Sequence, residues 1–208
     1  MAQPTEHTAP RLLNPPPEIR NRIYDFVVPV GRYFTVGRAG ANTVRDIRTL
    51  AQVNRQLRAE ALPMFFGHTE FILTIDSVDH IDKCLKWIRS LSPSMCSLIH
   101  SLTLFVYTGA EWDTLALTIR VTIHPNDHEA SVDIREPHIE AFQGLGFQAH
   151  PFETIEPQVK ALVQTIGSAS GDRGLRVRHL AQLFRILFKP TAFTRQNRAL
   201  LRELGASM

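Results

Sequence analysis

From Thr114 to His124 the chain alternates without a break. Leu115, Leu117, Ile119, Val121 and Ile123 are apolar, and Thr114, Ala116, Thr118, Arg120, Thr122 and His124 stand between them. Side chains of a strand point alternately to opposite faces, so this run must bury one face and wet the other. Pro125-Asn126-Asp127 supplies turn chemistry, and Ala130, Val132 and Ile134 then alternate with Ser131, Asp133 and Arg135. The reading is a pair of antiparallel strands. If Arg120 and Asp133 lie directly opposite, their attraction contributes about 0.2–1 kcal/mol.

The pattern upstream is strand, helix, strand. Thr69 to Ile75 is a β-prone run centred on Phe71-Ile72-Leu73, apolar on both sides and therefore read as buried. Asp76 or Ser77 caps a helix whose Val78, Ile81, Leu85, Ile88 and Leu91 keep helical spacing, and Ser92-Pro93 ends it. His100 to Tyr107 is the second strand, so the three elements form a βαβ unit. Downstream, Pro137 to Pro151 reads as loop with a short helical piece around Ile139 to Phe142. Three helices follow, over Phe152–Gly167, Leu175–Phe188 and Thr191–Leu204. Their apolar stripes are expected to bury against the sheet.

Two segments near the front carry the most information. Pro15, Pro16 and Pro17 precede Glu18, which faces the positive end of a helix dipole, and Ile19, Ile23, Phe26 and Val27 follow at i, i+4, i+7 and i+8. A helix of three turns cannot stand alone in water, so this stripe is expected to pack on the second segment. There Leu50, Val53, Leu57 and Ala61 share a face; Pro63 is expected to bend or end the helix, leaving Met64-Phe65-Phe66 as an apolar foot. Between the two, Gly31–Gly37 and Gly40–Val44 suggest a ragged hairpin.

"PPEIRNRIYDFVV", then "LAQVNRQLRAEALPMFF", then "HTEFIL", resembles the F-box-like domain of filamentous fungi, a group that includes a variant named for two Glu-x-Arg motifs. The resemblance covers roughly residues 12 to 75. Glu18-Ile19-Arg20 matches the first motif; at Gln56-Leu57-Arg58 a Gln replaces the acid of the second. The insert Val30 to Arg45 is a further departure from that pattern. The resemblance implies a surface that docks on the Skp adaptor of a cullin–RING ubiquitin ligase, formed by Leu13, Pro16, Pro17, Glu18, Ile19 and Ile23.

Composition bounds the alternatives. At 208 residues, 44% hydrophobic and 21% charged, the chain suits one globular domain with a small extension. No run approaches the ~20 apolar residues that span a bilayer. Residues 1–11 read as a disordered leader, 12–75 as the F-box-like module with its inserted hairpin, and 76–208 as a mixed body. Two cysteines do not make a disulfide framework, so a reducing compartment, cytoplasmic or nuclear, is expected. From Gly171 onward eight basic residues face Asp172 and Glu203, a local charge of +6 within a net +3. Such a tail suits an acidic partner, and nucleic acid is the less expected one.

No catalytic constellation emerges. His80 and Cys84, with Cys96 and His100, have the residue types of a zinc site, but the second pair straddles a helix-to-strand change and Cys84 borders an apolar stripe. Gly37-Arg38-Ala39-Gly40 lacks the Lys-Ser/Thr of a phosphate loop. Glu136-Pro137-His138-Ile139-Glu140 reads as a solvated loop, and Gly144-Leu145-Gly146-Phe147 only echoes a carboxylate-binding loop. The expectation is an α+β fold with an N-terminal F-box-like helical module, a mixed sheet of about four strands and flanking C-terminal helices. The expected role is non-enzymatic, without cofactor: an adaptor joining a ligase to an unknown target, or a ligase-independent scaffold.

Overall fold

A computed structural model describes residues 14–27, 33–36, 52, 54–108, 114–124, 130–135, 152–168, 175–188 and 193–205. Its elements in chain order are α1 (Pro17–Val27), β1 (Tyr33–Val36), α2 (Arg55–His68), β2 (Glu70–Ile75), α3 (Val78–Ser90), α4 (Pro93–Cys96), β3 (Ser101–Thr108), β4 (Thr114–Ile123), β5 (Ala130–Arg135), α5 (Phe152–Ser168), α6 (Val177–Leu187) and α7 (Arg195–Glu203). The fold is α+β.

One mixed sheet runs in the order β1-β2-β3-β4-β5. β1, β2 and β3 are mutually parallel, and β4 and β5 are added antiparallel. The sheet thus has five strands, where about four were expected. The extra one is β1, the first arm of the expected hairpin, and it pairs parallel to β2 at the sheet edge; the second arm, Gly40–Val44, lies outside the described residues. Phe34 and Val36 decide that placement, because pairing beside β2 buries the Phe34 ring and the Val36 methyls in the core. The βαβ reading of β2, α3 and β3 holds, with α4 added as one turn after Ser92, whose hydroxyl accepts from Met95 N–H.

Alternation does what the sequence demanded of it. Phe71, Leu73, Ile75, Leu102, Leu104, Val106, Leu117, Ile119, Val121 and Ile123 are buried on one face. α3 covers that face through Ile81, Cys84, Leu85 and Ile88, and packs in turn on α6 and α7, while α5 lies against β5. Ser77 caps α3 by accepting from His80 N–H. The opposite face is polar at its centre. Arg120 is in register with Asp133, but its guanidinium turns the other way: Nε donates to Thr103 Oγ1 at 3.2 Å, and Nη2 meets Glu70 Oε1 at 3.3 Å. Asp133 instead accepts from Arg135 at 2.8 Å. Glu70 also accepts from Thr103 at 2.8 Å, which makes it the better-anchored anion.

Pro63 does not end its helix. α2 runs through it to His68, so the foot Met64-Phe65-Phe66 is helical. An interior proline costs on the order of 3 kcal/mol. The aromatic cluster holds the last turn in place against that cost. Phe65 and Phe66 stand 5.6 and 5.4 Å from the Phe71 ring, with Phe34 and Trp87 packed around them.

Candidate functional site

The first helix meets the rest of the molecule through polar groups. Arg20 and Tyr24, one turn apart, are 8% and 1% exposed and face α2. Arg20 Nε and Nη2 donate to the two carboxylate oxygens of Glu60 at 2.9 and 2.8 Å, a bidentate fork. Tyr24 Oη donates to Glu60 Oε2 at 2.7 Å, and Gln56 Nε2 donates to Glu60 Oε1 at 3.0 Å. Arg20 Nη1 donates back to the carbonyl of Pro15 at 2.7 Å, tying the proline run to the clamp. Hydrogen bonds from Arg20, Gln56 and Tyr24 hold the Glu60 carboxyl down at about 2. The same carboxylate raises the Arg20 guanidinium further above its ordinary value.

This arrangement reverses the orientation expected from the periodicity. The stripe of Ile19, Ile23 and Phe26 is not buried as a whole. Ile19 is 45% exposed, Phe26 is 94% exposed and Ile23 is half-buried. An ion pair with ideal fork geometry fixes the helix roll, and the apolar stripe is left on the outer side. On α2 the expected stripe is kept where it is described, with Leu57 and Ala61 buried.

Of the six residues expected to form a docking surface, Pro16, Pro17, Glu18 and Ile19 are exposed and Ile23 is half-buried; Leu13 lies outside the described residues. The carbonyl of Pro16 accepts from Ile19 N–H and Arg20 N–H, so the proline run also starts the helix. Sequence reasoning missed Arg20, Tyr24 and Glu60. The signal was present: Arg20 and Tyr24 at i, i+4 share a face, and Glu60 sits in a helix already expected to lie alongside.

Elsewhere, the cysteine and histidine candidates scatter. Cys84 and Cys96 are fully buried, and burial pushes both thiols up to about 12. His80 pairs with Asp76 one turn before it. Among the described residues no group of three His, Cys, Asp or Glu side chains is placed to hold a metal. Residues 136–140 and 144–147, and the turn at 37–40, lie outside the described residues. No described helix is long and apolar enough to cross a membrane. No family model, curated protein or solved structure matches the chain.

Proposed function

We propose that the chain is an F-box-like protein–protein interaction module whose first helix is the docking element. The observation that carries this reading is the exposure of Ile19 and Phe26 on a helix locked in roll by Arg20 and Glu60. The large apolar side chains exposed among the described residues are Ile19, Phe26 and Tyr33, all within one short stretch. Single exposed apolar residues are ordinary, but Ile19 and Phe26 stand two turns apart on one preorganised helix, which favours a binding surface there. The resemblance supplies the partner: an adaptor of the Skp type, with the sheet and the C-terminal helices holding a target.

The test is co-purification and calorimetry of the full chain with a purified Skp adaptor. Ile19→Asp and Phe26→Lys are each expected to abolish the complex. Absence of association by the unmodified chain refutes the ligase role.

A second reading is a ligase-independent scaffold that binds an acidic partner through the C-terminal helices. In its favour, Arg178, Arg185, Arg195, Arg198 and Arg202 are all exposed. Binding of this kind weakens steeply with salt, which the apolar docking of α1 does not.

A further inference from the structure

A groove of about 310 Å³ runs between α2 and the single turn of α4. It lies on a different side of α2 from the Glu60 clamp and is separate from the outer face of α1. Arg55, Ala59 and Leu62 line it at i, i+4 and i+7, with Arg58 beside them and Met95 and Leu98 opposite. Its two ends differ chemically. Leu62, Met95 and Leu98, each half-buried, make an apolar floor at one end; Arg55 and Arg58 stand exposed at the other.

We infer that this groove is a second docking site, which takes a short amphipathic peptide segment carrying a carboxylate at one end and apolar side chains at the other. Three observations select that occupant. First, charge: Arg55 stands exposed in the first turn of α2, which contains no acidic residue. A cation at the positive end of a helix dipole is unfavourable, and a partner's carboxylate there offsets it. Second, length: Arg55 to Leu62 spans seven residues, about 10 Å of helix, which matches two turns of a docked helix or three residues of extended chain. Third, adaptability: Met95 has a flexible thioether side chain that fits irregular apolar partners, and the small side chain of Ala59 leaves the middle of the groove open. The groove opens to the surface along its length, which suits a peptide lying in it better than an enclosed small molecule. This inference does not depend on the role proposed for α1.

The experiment selects phage-displayed random dodecapeptides on the immobilised full chain and measures the enriched peptides by fluorescence polarisation. The expected result is enrichment of sequences with an acidic residue followed one turn later by apolar ones. Ala59→Trp fills the groove from an exposed position and is expected to abolish their binding; Arg55→Glu is expected to weaken it about tenfold or more. Ile19→Asp is expected to leave it unchanged, which separates this site from the α1 surface. Circular dichroism of each variant checks that the fold is intact, and Arg55→Glu, fully on the surface, serves if Ala59→Trp does not fold. No enrichment, enrichment of sequences without acids, or binding indifferent to both groove variants overturns the proposal. So does a fluorescent fatty acid, dansylundecanoate, binding in the groove where no peptide is selected, since the occupant is then a small amphiphile.

Discussion

Arg20 and Glu60, forty residues apart in sequence, are joined by two hydrogen bonds of 2.9 and 2.8 Å that fix α1 against α2. The carboxylate is the hub, because it also accepts from Tyr24 and Gln56. Glu60→Gln keeps the shape but loses the charge, and is expected to lower Tm by roughly 2–6 °C. Tyr24→Phe removes one donor and is expected to cost about 0.5–1.5 kcal/mol. The carboxyl is held at about 2 in the folded chain, below its ordinary 4.5. Its stabilising contribution is therefore complete above pH 4.5 and is lost as pH falls from there towards 2. Thermal melts between pH 5 and pH 2 check this, with Glu60→Gln flattening that part of the profile.

The outer stripe of α1 gives the opposite expectation. Phe26 is almost wholly exposed, so Phe26→Lys removes no packing, and a cation near the helix C-terminus is favoured by the dipole. Ile19→Asp places an anion near the N-terminus, again with the dipole. Both variants are expected to change stability by no more than about 0.5 kcal/mol in denaturant melts. Loss of partner binding in variants this stable is then a surface effect. A large loss of stability in Phe26→Lys, by contrast, means that the ring is covered.

The body of the fold was legible because its signals are local. Period-two alternation in β4 and β5 and period-3.6 spacing in α3, α5 and α6 each report which residues face the core; the structure buries Leu117, Ile119, Val121, Ile81, Leu85, Ile88, Val159 and Leu180 and packs the half-buried Val132 and Ile134 of β5 against them. Two features escaped for the same reason: long-range partners decided them. The roll of α1 depends on Glu60, and a hydrophobic stripe outvotes a polar pair in any reading of periodicity alone. The continuation of α2 through Pro63 depends on Phe71 and Trp87, which lie in other elements. Arg120 chose Glu70 over the Asp133 opposite it because Thr103 lies between the first two. As for α1, periodicity picked out its apolar residues but turned them towards α2, where the structure leaves Ile19 and Phe26 exposed.

The two thiols offer a reporter of global unfolding. Cys84 lies on the sheet-facing side of α3 and Cys96 at the end of α4, both fully buried and both free. Thiolate is the reactive form, and burial that raises the thiol to about 12 suppresses it at neutral pH. Ellman's reagent is expected to react with neither cysteine in the native chain at pH 7.5 and with both in guanidinium. Fast native reaction of either one contradicts its burial.

His179 predicts a second acid transition, distinct from that of Glu60. It is buried near the start of α6, where its Nδ1 accepts from Arg176 N–H at 3.2 Å, a role open only to the neutral ring. Burial, with Arg178 and Arg176 beside it, lowers its pKa from 6.5 to about 4. The unfolded chain therefore binds this proton at a pH where the folded chain does not. Stability is full above 6.5 and falls as pH drops towards 4, by an amount on the order of 3 kcal/mol. The effect is opposite in sign to that of a histidine paired with an acid, whose stabilisation grows as pH falls from its raised folded pKa to 6.5. His179→Gln keeps an acceptor without a titrating proton, and is expected to remove the slope between pH 6.5 and 4 while leaving the Glu60 step below 4.5. Melts of the two variants across that range separate the transitions, and an unchanged slope in His179→Gln assigns it to another group.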